Sequence, residues 1–264
     1  MIKGQWVEFI GSEQNPVVVF SHALGGNRTM WDKQVPAVTA SYRVLRYDLP
    51  GHGSAPEHTN PLTLEDLANN LLTLLDEHGI DRVHFCGLSL GGLIGQWLGL
   101  NAQHRLRTLT LVDTAPQMGS VETWNERIQQ IERHGMSSIS EATMSRWFTE
   151  SFRREQPELV IHFKSVLENT SQSGYIANAK VVRDACEYGG TLQRFTAVQV
   201  PTLVATGRFD SAAKPTDCQA MASVIRGSRY VELPAAHISP VEAADSFNAA
   251  FLSFLAHSER ESNE

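Results

Sequence analysis

The sequence predicts an α/β protein: a mostly parallel central sheet with helices on both faces and a helical cap inserted into it. Three observations predict it. Short β-branched runs alternate with helical patterns from Val17 to Val112, strand character lapses from about Gln117 to Thr191, and it resumes at Pro201. Alternating strands and helices imply a parallel sheet, because parallel neighbours need a crossover between them. The expected division is a core of residues 1–116 and 192–264, with a cap at 117–191.

Taken in order, Val17-Val18-Val19-Phe20 and Val44-Leu45-Arg46-Tyr47 are apolar runs that end in turn-rich segments, as interior strands do. Leu62 to Gly79 reads as a helix, with Thr63 as its cap, Asp66 three residues on, and apolar residues at helical spacing through Leu75. Arg82 to Cys86 is the next strand, Leu93 to Leu100 continues as a buried helix, and Leu109 to Val112 is a further strand. Within the cap, Trp124, Ile128 and Ile131 share one helical face, and Met144, Trp147, Phe148 and Phe152 share another. Strands are expected again at Pro201–Ala205 and Arg229–Leu233, then an amphipathic helix from Val241 to Leu255. The polar tail Ser258 to Glu264 is expected to be disordered.

A chain of 264 residues, 42% of them hydrophobic, can bury a sizeable core. A net charge of −7 and a pI near 5.8 carry no nucleic-acid footprint. Met1 to Trp6 lacks the apolar stretch of a signal peptide, and no apolar run is long enough to span a bilayer. Cys86, Cys186 and Cys218 are odd in number and widely spaced, which fits reduced thiols in a cytoplasmic protein. They form no metal motif with the histidines, so neither metal nor cofactor is expected.

The chemistry concentrates at Phe85-Cys86-Gly87-Leu88-Ser89-Leu90-Gly91-Gly92. Gly87 to Gly91 fits G-x-S-x-G, a strand-to-helix turn that holds a serine in a strained conformation and exposes its hydroxyl. A serine hydroxyl is a weak nucleophile near neutral pH. It needs a base, and the base needs an orienting carboxylate. His237 follows the strand at Arg229–Leu233 and precedes the last helix, so it sits where sheets of this class place ligands. Two acids end strands, Asp210 and Asp113, and Asp210 is the better placed for the His237 loop. Two backbone N–H groups must meet the developing oxyanion. Leu90 follows the nucleophile, and Leu24 lies in the glycine-bearing loop Ser21 to Gly26. In that loop His22 reads as a brace, and Asp48 to Ser54 as a tight structural turn.

Together these residues resemble the α/β-hydrolase superfamily: H-x-L-G after an early strand, D-x-P-G-H-G after the next, the serine turn, then Asp and His. The resemblance runs from about Val17 to Leu255. Within the superfamily the chain is most similar to the 3-oxoadipate enol-lactonases of protocatechuate and catechol breakdown. Gly87 to Leu98, Trp124 to Ile128, Arg146 to Thr149 and Ala235 to Ser239 carry that likeness. The chain departs from it at Asp113, where those enzymes usually have Asn, at His22, and at Ile176 to Ala179, which lacks a cysteine-rich stretch.

The resemblance implies hydrolysis of 3-oxoadipate enol-lactone to 3-oxoadipate. The residues alone imply acyl transfer from a small lactone or ester to water. They leave open a general esterase, a C–C bond hydrolase, or a ligand receptor on a hydrolase scaffold. A lactone of the implied kind carries a free carboxylate, which is costly to enclose without a cation. Of the cap arginines, Arg133 and Arg146 are the expected partners, with Trp147 as an apolar wall.

Overall fold

The computed structural model describes residues 6–58, 60–187 and 192–261. Its centre is a seven-stranded sheet in the order β1-β3-β2-β4-β5-β6-β7. The strands are β1 (Val7–Ile10), β2 (Val17–Ser21), β3 (Arg43–Tyr47), β4 (Val83–Leu88), β5 (Leu106–Val112), β6 (Thr202–Gly207) and β7 (Arg229–Leu233). From β3 to β7 every pairing is parallel, and β1 runs antiparallel to β3 at the edge. Every residue of β2, β4 and β6 is buried, which is why they read as unbroken apolar runs.

The helices are α1 (Val35–Val38), α2 (Leu64–Glu77), α3 (Leu90–Asn101), α4 (Val121–His134), α5 (Ser140–Trp147), α6 (Glu150–Glu155), α7 (Pro157–Glu168), α8 (Gln172–Glu187), α9 (Pro215–Val224), α10 (Ser239–Glu242) and α11 (Ala244–Glu261). Thr63 caps α2 as its sequence suggests: its hydroxyl accepts from Asp66 N–H at 3.1 Å, and Asp66 accepts from Thr63 N–H at 2.9 Å. A cap of this kind stabilises a helix by roughly 1 kcal/mol.

Register explains the two layers. Phe20 lies opposite Cys86, so Phe20 and Phe85 face opposite sides of the sheet. On the Phe85 side, α3 lies so close that a Cβ on Gly95 would meet the Phe85 ring at 2.8 Å. On the other side Phe20 meets Trp31 and Phe251 of α11, with ring centroids 4.6 and 5.8 Å away.

Between β5 and β6 the chain runs through α4 to α8. Ile128 and Ile131 of α4 are buried and Trp124 is half-buried, and on the second predicted face Phe148 stacks on Phe152 at 5.1 Å. The expected cap boundary at Thr191 lies outside the described residues. Two expectations need correction. The last helix breaks at Ala243 into α10 and α11, and α11 continues through Ser258 to Glu261 rather than fraying. Its buried face, Phe247, Phe251, Phe254 and Leu255, extends by helical spacing to buried Ser258, whose hydroxyl donates to Phe254 O at 3.1 Å. Residues 262–264 of that tail lie outside the described residues. No described helix is long and apolar enough to cross a membrane.

Candidate active site

Ser89 lies at the junction of β4 and α3, with φ 55° and ψ −109°. Only a crowded turn holds a serine there, and the glycines make the crowding possible. A Cβ on Gly87 would collide with the Gly91 carbonyl, and one on Gly91 with the Ser21 carbonyl. The turn is pinned by Ser89 N–H donating to Val112 O at 2.9 Å.

The Ser89 hydroxyl lies 2.9 Å from His237 Nε2, and His237 Nδ1 lies 2.8 Å from Asp210 Oδ2. All three groups are buried. The other Asp210 oxygen accepts from Ala212 and Ala213 N–H at 2.7 and 3.1 Å, which fixes the carboxylate plane. Burial works to lower the His237 pKa, but the charge and hydrogen bond of Asp210 outweigh it and hold it above its ordinary value. Chemically, groups at these distances can pass a serine proton to an imidazole that a carboxylate orients.

Asp113 is close by but differently engaged. Its φ is 45°, and its oxygens accept from Gly207 N–H at 2.7 Å and Ser239 N–H at 2.8 Å. Burial, reinforced by the Asp210 charge, pushes its carboxyl up to about 8. The structure thus brings Asp210 to the imidazole and ties Asp113 to the backbone beneath it.

Leu24 and Leu90 border the same cavity as Ser89. Among the described residues, neither N–H donates to a protein acceptor, whereas their neighbours are spent: Gly25 N–H donates to His52 Nε2 at 3.0 Å, and Gly91 N–H to His22 O at 3.2 Å. His22 is the brace its position suggests, with Nε2 accepting from Leu49 N–H at 2.9 Å and Nδ1 facing Ala23 O at 2.8 Å. Burial pushes His22 down to about 4 and His52 to about 3, so both stay neutral and able to accept at neutral pH.

The cavity, about 310 Å³, is lined by Ser89 and His237 on the sheet side and by Trp124, Arg127, Arg146, Trp147 and Tyr175 from the inserted helices. Two of the three expected recognition residues, Arg146 and Trp147, are there. Arg133 is not: it is exposed on α4. It follows Arg127 by six residues, about 240° around the helix, and so faces away. Arg127 takes the inward place instead. It donates to Tyr175 Oη at 2.8 Å and to Thr143 Oγ1 at 2.7 Å. Its spacing of three from Trp124 and four from Ile131 was the available signal. Arg146 is half-buried, and it forms no ion pair or hydrogen bond among the described residues. Burial and the neighbouring Arg127 charge push it down to about 10, still charged at neutral pH.

The profile of the alpha/beta hydrolase fold matches residues 16–244. The chain belongs to the α/β-hydrolase fold family. It is 32% identical to 3-oxoadipate enol-lactonase 2 of Acinetobacter baylyi, over 91% of this chain and 88% of that protein. It is 30% identical to enol-lactonase 1 of the same organism, over 94% and 92%. The crystal structure of the enol-lactonase from Burkholderia xenovorans superposes with a TM-score of 0.91, at 35% identity and 95% coverage of both chains. This α/β hydrolase is an enzyme of the carboxylic ester hydrolase kind. Among its described residues, no group of three or more His, Cys, Asp and Glu side chains could hold a metal ion.

Proposed function

We propose that this hydrolase opens 3-oxoadipate enol-lactone to 3-oxoadipate through an acyl-enzyme on Ser89. The observation that carries the reading is Arg146, a half-buried cation with no salt bridge or hydrogen bond among the described residues, in the same cavity as Ser89 and His237. A cation so placed favours a substrate that brings its own carboxylate. The names and the likeness of the enol-lactonases add support. In this reading the segment 117–191 acts as the cap over a core of 1–116 and 192–264.

His237 Nε2 takes the proton as Ser89 Oγ attacks the lactone carbonyl, and Asp210 steadies the imidazolium. The N–H groups of Leu24 and Leu90 receive the oxyanion. Collapse breaks the ring C–O bond, the enolate oxygen takes the proton from His237, and the enol becomes the ketone. Water, deprotonated by His237, then attacks the acyl-enzyme, and Ser89 leaves with the proton. The enolate is stabilised by conjugation, so its departure needs less acid assistance than an amine would.

Two outcomes are expected. Arg146→Ala raises KM for the enol-lactone roughly ten- to a hundredfold, the worth of a charged hydrogen bond of about 1.5–3 kcal/mol, and changes a neutral aryl ester far less. Equal effects on both substrates in steady-state assays would make Arg146 a support of the inserted helices instead. The base must be neutral to act, and its pKa is raised, so activity falls as pH drops through a point above 6.5. A kcat/KM profile with its acid limb below the ordinary histidine value would contradict that arrangement.

A further inference from the structure

Glu242 ends α10, just beyond His237, and it is half-buried with no cationic partner among the described residues. Its carboxylate gathers donors from two distant parts of the chain. It accepts from Ala236 N–H at 2.9 Å. Thr149 N–H approaches its two oxygens at 3.2 and 3.3 Å, and the Thr149 hydroxyl donates to one of them as well. A second tie runs alongside, from Ile238 N–H to Trp147 O at 3.1 Å. Both residues flanking His237 are therefore joined to the stretch Trp147–Thr149, which directly follows Arg146: Ile238 by its own N–H, and Ala236 through Glu242.

We propose that Glu242 is a positioning residue that locks the Arg146–Trp147 wall of the cavity to the loop carrying His237. The inference rests on the reading that Arg146 receives a substrate carboxylate. A carboxylate held by Arg146 presents its carbonyl to Ser89 at a distance set by the protein between the two. An error of about 1 Å in such a distance can cost a hundredfold in rate. Glu242 spans that gap with a charged acceptor, and its loss leaves two backbone N–H groups without their partner. A short neutral ester is not held at both ends and does not depend on the spacing.

A matched pair of substrates tests this: 4-nitrophenyl hemisuccinate, which carries a free carboxylate, and neutral 4-nitrophenyl butyrate. The readout is the ratio of their kcat/KM values. In Glu242→Ala and in Thr149→Val the ratio falls about tenfold, the loss of one charge-assisted hydrogen bond. Glu242→Gln, which keeps one carbonyl acceptor and the side-chain volume, falls less and guards against failure of the alanine variant to fold. In an Arg146→Ala background, Glu242→Ala lowers the ratio no further, because the two act on one interaction. An unchanged ratio in Glu242→Ala and Thr149→Val, with Arg146→Ala losing it, overturns the lock and leaves the carboxylate reading standing. Additive losses in the double variant overturn the lock too. An unchanged ratio in Arg146→Ala overturns the carboxylate reading and the lock with it.

Discussion

Ser89→Ala abolishes turnover, by roughly 10⁴- to 10⁶-fold in kcat, because the members of a nucleophile–base–acid set act as a unit. The fold should survive. Removing the hydroxyl takes away the hydrogen bond to His237 but none of the contacts that force the turn, which come from the Gly87, Gly91 and Ser21 backbone. Steady-state rates together with a thermal melt check both halves of the expectation. More than a tenth of the original activity in a folded variant would remove Ser89 from the role.

Asp210→Asn should lower kcat by roughly 10⁴, since an amide favours the wrong imidazole tautomer at Nδ1. Asp113→Asn should be much milder for catalysis. It exchanges one side-chain carboxylate oxygen, which accepts from a backbone N–H, for an amide donor facing Gly207 or Ser239 N–H, a buried mismatch of about 1–3 kcal/mol in stability. Parallel kinetics and melts of the two variants decide between the acids. A larger kcat loss in Asp113→Asn would move the orienting carboxylate to the end of β5.

The sequence reveals those elements whose signal is local. β2, β4 and β6 are visible because burial on both faces demands continuous apolar runs, and the turn at Ser89 because its backbone needs glycine on either side. Edge strand β1 carries no such demand: its four residues are half-buried, and Val7-Glu8-Phe9-Ile10 is too short to announce a period. The break at Ala243 is likewise invisible, because apolar residues run past it at helical spacing while Ala243 itself leaves the helical backbone, at φ −119° and ψ 49°.

The chemistry-bearing residues divide in the same way. Asp210 and His237 each end or follow a strand, and topology delivers strand ends to one place. The arginines sit on helices whose orientation depends on packing with distant segments. Arg133 and Arg146 looked alike in the sequence, and only the placement of α4 and α5 against the core separates them. Glu242 had no signal at all, since its partners lie some ninety residues upstream at Thr149 as well as beside it at Ala236.

A carboxylate-bearing enol-lactone is the substrate proposed for this cavity. The most direct measurement compares kcat/KM of the purified protein for 3-oxoadipate enol-lactone with that for a neutral aryl ester of similar size. The account predicts that the lactone is preferred by about a hundredfold, the upper range of one buried charged hydrogen bond. Equal values, or a preference for the neutral ester, would contradict it.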